Sequence, residues 1–291
     1  MLHYSGNVYR PPSEAYSLIV QVTLGCSHNK CAFCNMYKDK KFEIVPIDQV
    51  MEDLRWARQT YSRIQRIFLA DGDALILPTE TLVQILTRIR KRIPTCQRVG
   101  VYGSPNSILR KTPEELETLR KLGLGIVYMG LESGNDAVLK KFDKGFDAAS
   151  IIQAGQRVKQ AGLLLSVTAI NGLGGQEMSE AHALDTAKAF TAMKPDYVGM
   201  LTLRVYGNTP LAGWVQRGEF KLLDGPLALA RENRLLIEHM DCEGTVFRSN
   251  HASNYLALAG TLNKDKDRLL AQLDAALEGK RHFRSEVQLG F

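Results

Sequence analysis

The sequence is poor in cysteine and has no long apolar stretch, and each shortage excludes a class of protein. Five cysteines in 291 residues, with Cys96 and Cys242 isolated, do not make the disulfide framework of a small secreted domain. No apolar run reaches the roughly 20 residues that a membrane-spanning helix needs, and no secretory signal precedes the first cysteines. We therefore expect a protein of the reducing cytoplasm with no membrane partner.

Charge is not concentrated in any one region either. The formal net charge of +6 is spread along the chain, and the local basic run 88–92 ends a predicted helix, where cations complement the helix dipole. A nucleic-acid partner is therefore not indicated. The 45% apolar content is enough to bury a large core, in one barrel-sized domain or in two smaller ones.

Three of the five cysteines lie within nine residues of one another. Cys26, Cys31 and Cys34 are separated by four and then two residues, and thiolates this close can converge on one soft metal centre. One interpretation is a structural zinc site with His28 as fourth ligand, although this histidine is geometrically cramped. A second is a ferredoxin-like electron carrier that uses the distant Cys96. The third is a 4Fe–4S cluster with one iron open for chemistry.

Apolar, β-branched runs alternate with helical periods along most of the chain. The clearest helix follows Thr112, with Pro113 in its first position and Glu115 completing a capping box, and another is predicted from about Thr79 to Ile93. This alternation predicts an α/β fold with a parallel sheet. The predicted strands begin near Leu18, Arg66, Arg98, Ile126, Leu163 and Tyr197.

Polar, glycine-containing segments follow the C-terminal ends of these predicted strands. In parallel βα barrels this edge carries the active site, and glycines there let backbone groups approach a ligand closely. We therefore predict a ligand site at this edge, whereas Cys96 precedes its strand and is predicted to be a small buried hydrophobe on the opposite face. The segments are the cysteine loop, Asp71-Gly72-Asp73, Gly103-Ser104-Pro105-Asn106, Glu132-Ser133-Gly134, Asn171-Gly172-Leu173-Gly174-Gly175, and the group Arg204, Tyr206 and Asn208.

The stretch from Thr23 to Tyr37, with Phe33 just before the last cysteine, resembles the signature of the radical S-adenosylmethionine (radical SAM) superfamily. The likeness continues in segments 71–73, 130–134 and 171–175, in an order that resembles the branch that includes oxygen-independent coproporphyrinogen oxidase. The family's usual cysteine spacing is three then two residues, and here it is four then two. Variants with a longer first gap are known in the superfamily.

The resemblance implies a partial (β/α)6 TIM-like barrel with parallel strands and a C-terminal extension. Residues 1–16 would form an N-terminal arm, 17–210 the core barrel and 211–291 an extension packed on the barrel. The resemblance also implies that the three cysteines hold a 4Fe–4S cluster and that S-adenosylmethionine (SAM) chelates the open iron. Reductive cleavage of SAM would then give a 5′-deoxyadenosyl radical that abstracts hydrogen from an unidentified substrate.

The same resemblance assigns cofactor contacts residue by residue. Phe33 would pack near the adenine, and the 71–73 loop would meet the methionyl amine through its backbone, although Asp-Gly-Asp stands where Gly-Gly-Glu is commonest in the family. Glu132 and Ser133 would hold the amine or the ribose, and the turn from Gly172 to Gly175 would flank the adenine. The predicted cofactor-binding residues are Phe33, Asp71, Gly72, Asp73, Ser104, Asn106, Glu132, Ser133, Gly172 and Gly174.

The segment 245–255 begins like a strand and is then crowded with hydrogen-bonding side chains. We predict Arg248 and His251 as catalytic residues that act on the substrate, because Arg248 and also Arg204 suit an anionic group, and His251 with Asn250 could orient or protonate it. The alternative is a capping and turn segment before a final helix near 265–277.

Three lysines follow the cysteine loop closely. Lys38, Lys40 and Lys41 could attract an acidic flavodoxin or ferredoxin as electron donor, and a merely solvated surface is the alternative.

Overall fold

A computed structural model describes residues 2–289 and shows strands and helices in alternation. The strands are β1 (Leu18–Gln21), β2 (Thr23–Leu24), β3 (Glu43–Ile44), β4 (Arg66–Ala70), β5 (Arg98–Tyr102), β6 (Leu124–Glu132), β7 (Leu164–Asn171), β8 (Tyr197–Thr202), β9 (Val246–Ser249) and β10 (Leu258–Thr261). The helices are α1 (Ile47–Thr60), α2 (Thr79–Arg92), α3 (Pro105–Leu109), α4 (Pro113–Lys121), α5 (Asp136–Lys141), α6 (Ala148–Gln160), α7 (Gly175–Met193), α8 (Pro210–Gln216), α9 (Gly225–His239) and α10 (Lys266–Leu277). Short 3-10 turns lie at Pro12–Glu14, Ala74–Ile76 and Glu286–Gln288.

Eight of these strands form one sheet, in the order β1-β4-β5-β6-β7-β8-β9-β10, and β2 pairs with β3 separately. The pairs β1–β4, β4–β5, β5–β6, β7–β8 and β8–β9 are parallel, and β10 runs antiparallel to β9. The predicted α/β class with a parallel sheet is therefore confirmed. All six predicted strands are present, and β9 confirms that segment 245–255 begins as a strand, which joins the sheet beside β8.

Local sequence signals account for helix α4. The Oγ1 atom of Thr112 accepts from the N–H of Glu115 at 3.2 Å, and the Glu115 carboxylate accepts from the N–H of Thr112 at 2.7 Å. This is the predicted capping box, and Pro113 holds the first helical position. Gly123 follows the helix with a φ of +111°, a backbone conformation that favours glycine.

Contacts divide the chain into two compact units, which we describe separately. Of the described residues, the first comprises 2–29, 36–129 and 154–165, and the second 30–35, 130–153 and 166–289. One core cluster of the first unit consists of Phe68, Ala70, Ile126 and Tyr128, against which Val8, Ile19 and Tyr102 pack. One core cluster of the second consists of Ala32, Val138, Phe142, Ile170, Leu173, Leu211 and Phe220.

The described part of the predicted arm, residues 2–16, contributes to the first unit. The N–H of Ser5 donates to Oε1 of Gln21 at 2.9 Å, and Val8 packs on the core cluster. The division into arm, core barrel and extension stays a prediction. Within residues 2–289, no helix combines the length and the apolar character needed to cross a bilayer.

Glu14 is a charged residue of the arm whose side chain is buried in the core of the first unit. Its side chain is completely buried, and its carboxylate accepts from the guanidinium of Arg98 and from the hydroxyls of Tyr128 and Ser17. A buried carboxylate with these partners holds the arm, because removing it leaves the arginine without its counter-charge.

We predict that Glu14→Ala lowers the free energy of unfolding by about 3 kcal/mol, because Arg98 then stays largely buried without an anion. Urea unfolding monitored by circular dichroism measures the loss. The control is Glu117→Ala, which removes an exposed partner of Lys121 and should change stability little. Equal small losses in both variants would show that the arm does not depend on Glu14.

Candidate functional site

Gly72 lies directly against the first cysteine of the cysteine loop. Its N–H donates to the carbonyl oxygen of Gly25 at 3.0 Å. A Cβ atom at position 72 would lie 3.0 Å from Cβ of Cys26 and 2.8 Å from the ring of Tyr37. Because real Cβ atoms do not approach this closely, glycine is required where the loop after β4 meets the cysteine loop.

Asp71 joins the cysteine loop to two other parts of the first unit. Its side chain is completely buried, and Oδ2 accepts from Nε2 of Gln21 at 2.9 Å, the N–H of Gly25 at 3.2 Å and Nζ of Lys40 at 2.9 Å. Its other oxygen, Oδ1, has no hydrogen-bond partner among the described residues. Asp71 therefore fixes the backbone just before Cys26 and keeps one buried acceptor unused.

Lys40 is turned inward, which the sequence did not indicate. Its side chain is only 7% exposed, and its ammonium contacts Asp71 and the carbonyl oxygen of Asn7. Lys38 is half-buried and donates to the carbonyl of Asn29, whereas Lys41 is exposed. Lys40 is thus not an exposed charge of a docking surface, and the electron donor itself stays a prediction.

Asp73 holds the other side of the first cysteine. It is completely buried, and Oδ2 accepts from Oγ of Ser27 at 2.6 Å and from Oγ of Ser104 at 2.8 Å, while Oδ1 accepts from the N–H of Ser104. Ser104 also caps α3 by accepting from the N–H of Ser107. The predicted cofactor residue Ser104 therefore orders the loop, and Asn106 lies half-buried in the first turn of α3.

The second half of the cysteine loop, residues 30–35, belongs to the second unit. The N–H of Ala32 donates to the carbonyl of Phe142 at 2.9 Å, and the carbonyl of Ala32 accepts from the N–H of Leu211 at 3.1 Å. Phe33 meets Phe142 edge to face, with ring centroids 5.9 Å apart. These contacts fix the backbone between Cys31 and Cys34, as the loop after β4 fixes it around Cys26.

None of the five cysteines, all of which lie in the described part of the chain, forms a disulfide. The three loop cysteines and Cys96 are partly buried. Burial raises the pKa of the Cys96 thiol. Because Cys96 is only partly buried, it matches the predicted buried hydrophobe only in part. Burial raises the pKa of the fully buried Cys242 to about 11. Within residues 2–289, no three His, Cys, Asp or Glu side chains stand close enough to hold one metal ion.

Glu132 is the last residue of β6 and Ser133 follows it, and the two side chains lie in different surroundings. Glu132 has a left-handed φ of +63°, and its carboxylate accepts from Nζ of Lys144 at 2.9 Å. Ser133 is completely buried, and its Oγ lies 2.7 Å from Nδ1 of His182. Since Nε2 of His182 lies 3.1 Å from the carbonyl of Ile170, Nε2 carries the proton and Ser133 donates to Nδ1. Burial lowers the pKa of His182 to about 4 and keeps the ring neutral.

Glu232 on α9 holds the glycine turn that follows β7. Its Oε1 accepts from the N–H of Gly172 at 2.5 Å and its Oε2 from the hydroxyl of Ser179, while Nε2 of His182 lies 3.7 Å away. Gly172 has a φ of +87°, and a Cβ atom at Gly174 would lie 2.7 Å from the carbonyl oxygen of residue 178. Both glycines are required by the backbone, and burial raises the pKa of Glu232 to about 7.

The two arginines predicted to suit an anion differ in their partners. Nη1 of Arg204 lies 3.2 Å from the carboxylate of Glu286, and its guanidinium stacks on the ring of Tyr255. Arg248 is exposed on β9 and donates to the carbonyls of Phe247 and Gly260. No carboxylate among the described residues pairs with Arg248, so no acidic side chain there neutralises its positive charge.

His251 lies where the polar segment returns to the end of β8. Its Nδ1 accepts from the N–H of Ser253 at 3.2 Å and lies 3.0 Å from Oγ of Ser253, which in turn accepts from the N–H of Thr202. Asn254 accepts from the hydroxyl of Thr202 at 2.8 Å. Partial burial lowers the pKa of His251, so the ring is neutral at neutral pH.

The fold and the site together define an α/β protein with a parallel sheet and a three-cysteine loop after its first strand. Residues 20–187, more than half of the chain, match the Radical SAM superfamily. The chain therefore belongs to the radical SAM superfamily, as its cysteine loop predicted.

Two further comparisons place the chain among relatives. It is 24% identical over 202 residues to a protein of Lactococcus lactis subsp. lactis (strain IL1403) named heme chaperone HemW, covering 68% of this chain and 52% of that protein. The chain thus spans about half the length of the curated relatives it matches.

Among solved structures, methylornithine synthase (PylB) superposes with a TM-score of 0.56 at 13% identity, covering 88% of this chain and 68% of that chain. The methyltransferase TsrM from Kitasatospora setae, solved with cobalamin and a [4Fe-4S] cluster, gives 0.54 at 18% identity over 67% of this chain and 38% of that chain. These likenesses show the shared TIM-like fold.

The raised pKa of Glu232 makes the stability of the protein depend on pH. Its pKa is raised from 4.5 to about 7, so the folded protein keeps a proton that the unfolded chain loses between these values. Stability therefore falls as pH rises from 4.5 to 7, by about 3 kcal/mol in all. Glu232→Gln removes the titrating carboxyl group and with it this pH-dependent contribution. The variant should therefore gain stability relative to wild type when the pH is raised from 5 to 8.

Urea unfolding at the two pH values measures this shift. Glu238→Gln, on the same helix but exposed, is the control and should show no such shift. A pH dependence identical in wild type and Glu232→Gln would contradict the assignment.

Proposed function

We propose that this chain is a radical SAM enzyme in which Cys26, Cys31 and Cys34 hold three irons of a 4Fe–4S cluster and SAM binds the fourth. The observation that carries the proposal is the attachment of loop 71–73 to the residues on both sides of Cys26, through the N–H of Gly25 and the hydroxyl of Ser27, in a chain that belongs to the superfamily. Three thiolates on a fixed loop suit a cluster that keeps one iron open.

The residues around the cysteine loop suit both groups. Gly72 brings backbone within contact distance of Cys26, where any side chain would occupy the space. Oδ1 of Asp71 is a buried acceptor that lacks a donor, and the ammonium of a methionyl group is a donor of the required kind. The family-implied backbone contact of loop 71–73 with this amine stays part of the proposal.

When bound, the reduced cluster and SAM supply one-electron cleavage of a sulfur–carbon bond, which yields methionine and a 5′-deoxyadenosyl radical. The chain's own residues position the reactants. Asp73 and Ser27 fix the loop, Lys144 orients the carboxylate of Glu132, and Glu232 holds the turn at Gly172. In this proposal Glu132 and the Gly172 turn contact SAM, while Ser133 orders its own loop through His182.

A second candidate function is haem handling without radical chemistry, and the similarity to proteins named heme chaperones favours it. That similarity covers about half of those proteins and is below 25% identity. Titration of the protein with haem tests it, and stoichiometric binding without any cleavage of SAM would favour this candidate over the enzyme.

The test of the enzyme is direct. Anaerobically reconstituted protein should carry about four irons and four sulfides per chain and form 5′-deoxyadenosine from SAM with dithionite. Changing any one loop cysteine to alanine should abolish this activity, and Cys96→Ala, outside the loop, should retain it. One bound zinc with no iron, or no 5′-deoxyadenosine from the reconstituted wild type, would overturn the proposal.

Gly72→Ala provides a more sensitive test of the site. Its Cβ atom would press on Cys26 and Tyr37, so we expect less iron per chain and at least a tenfold loss of 5′-deoxyadenosine formation. The control is Gly207→Ala, where a Cβ atom meets nothing within 4 Å. Full iron content and activity in Gly72→Ala would contradict the close approach.

We also propose a flavodoxin or a ferredoxin as electron donor. Lys41 is the exposed member of the three lysines and supports this through charge attraction. Lys41→Glu should slow reduction by the protein donor and leave dithionite-driven turnover unchanged.

A further inference from the structure

One face of the second unit's sheet is open, which is unusual for parallel strands. On β8, Val198, Met200 and Thr202 are buried, whereas the alternate residues Tyr197 and Leu201 are not. The same alternation continues on the neighbouring strands. The residues of this open face are Ser166, Thr168, Tyr197, Gly199, Leu201, Val246, Arg248, Ala259 and Thr261.

The strand register places these residues in rows. Thr168 pairs with Gly199, Gly199 with Arg248, and Arg248 with Ala259. Paired residues on adjacent strands point to the same side of a sheet. Arg248 therefore stands on the open face, one strand away from a position that has no side chain.

The next row is formed by Ser166, Tyr197, Val246 and Thr261, by the same pairings. Tyr197 is 37% exposed, although it lies inside the sheet between two strands. The open face thus combines an aromatic ring, aliphatic side chains and hydroxyls with a single cation.

Gly199 is not required by the protein's own packing. A Cβ atom there would meet only Oγ1 of Thr168, at 3.9 Å, and its φ lies outside the left-handed region. Glycine in a strand interior lowers stability by about 0.5–1 kcal/mol relative to alanine. A glycine without a structural reason, in the middle of an open face, is typical of a place where a ligand approaches the backbone.

Arg248 supplies the charge of this face. Two of its contacts go to the carbonyls of Phe247 and Gly260, and a guanidinium has five N–H donors. The remaining donors and the unneutralised charge suit a carboxylate. Because one guanidinium balances one negative charge, the site suits a monoanionic carboxylate better than a phosphate.

We propose that the open face binds the substrate of the radical reaction, and that this substrate is an apolar molecule with a carboxylate. The carboxylate pairs with Arg248, and the apolar body lies over Gly199 between Tyr197 and Leu201. The proposal rests on the proposed function, since it assigns the substrate of that enzyme.

The experiment uses 2-naphthoate as probe and 2-naphthylmethanol as its uncharged counterpart, with equilibrium dialysis against the reconstituted protein. Wild type should bind 2-naphthoate at least tenfold more tightly than the alcohol. Arg248→Gln should remove that preference, and Arg231→Gln, exposed on α9, should retain it. No detectable binding of 2-naphthoate to wild type, or an unchanged preference in Arg248→Gln, would overturn the proposal.

Gly199→Val tests the position of the apolar body. Valine favours strands, so the unfolding midpoint should not fall, while the affinity for both probes should drop at least tenfold. Gly207→Val, away from the sheet, is the matched control and should bind both probes as wild type does. Unchanged binding in Gly199→Val would contradict the proposed position, and tighter binding of 2-naphthyl phosphate than of 2-naphthoate would contradict the carboxylate.

The outcome is separable from that of the proposed function. Formation of 5′-deoxyadenosine in the absence of substrate should persist in Arg248→Gln and Gly199→Val, because neither change touches the cysteine loop. Loss of that activity in both variants would place the open face in the cofactor site and overturn its assignment to substrate. If wild type forms no 5′-deoxyadenosine but binds 2-naphthoate through Arg248, the enzyme proposal fails and the carboxylate site remains.

Discussion

The residues on either side of Cys26 are held by two completely buried carboxylates, and the geometry of the site depends on them. Asp71 accepts from the N–H of Gly25, and Asp73 from the hydroxyl of Ser27. Buried carboxylates are stable only where donors surround them, so loop 71–73 and the cysteine loop must keep their arrangement together. In the proposed function, these contacts hold the backbone before Cys26 and the side chain after it in place around the first cluster ligand.

Much of the fold could be predicted because its signals are local. The capping box of Thr112 and Glu115 involves residues three apart, and the strand that begins at Leu18 opens with three consecutive apolar residues. The cysteine loop could be found in the same way, since its spacing is a property of nine consecutive residues. Gly72 could be predicted as a place of close backbone approach because a residue without a Cβ atom allows such contact.

The remaining parts of the site depend on pairs that are far apart in sequence. Lys40 could be taken for a surface charge because its partner Asp71 is 31 residues away. His182 and Glu232 carry no motif, and their roles follow only from contacts with residues 49 and 60 positions away. One partial signal existed, because a histidine on the buried face of a helix needs hydrogen-bond partners.

Gly72 and Gly199 both lack a side chain, but the reasons are opposite. At Gly72 a Cβ atom would collide with Cys26 and Tyr37, so the protein's own contacts require glycine. At Gly199 nothing stands in the way, and the protein loses stability by keeping the position bare. A glycine that the protein's own contacts require, such as Gly72, suits a cofactor site that is common to a family. A glycine that no contact requires, such as Gly199, suits a substrate site, because such a site can change without disturbing the fold. Under the two proposals, the residues that hold the reactive group are therefore separate from those that select the substrate.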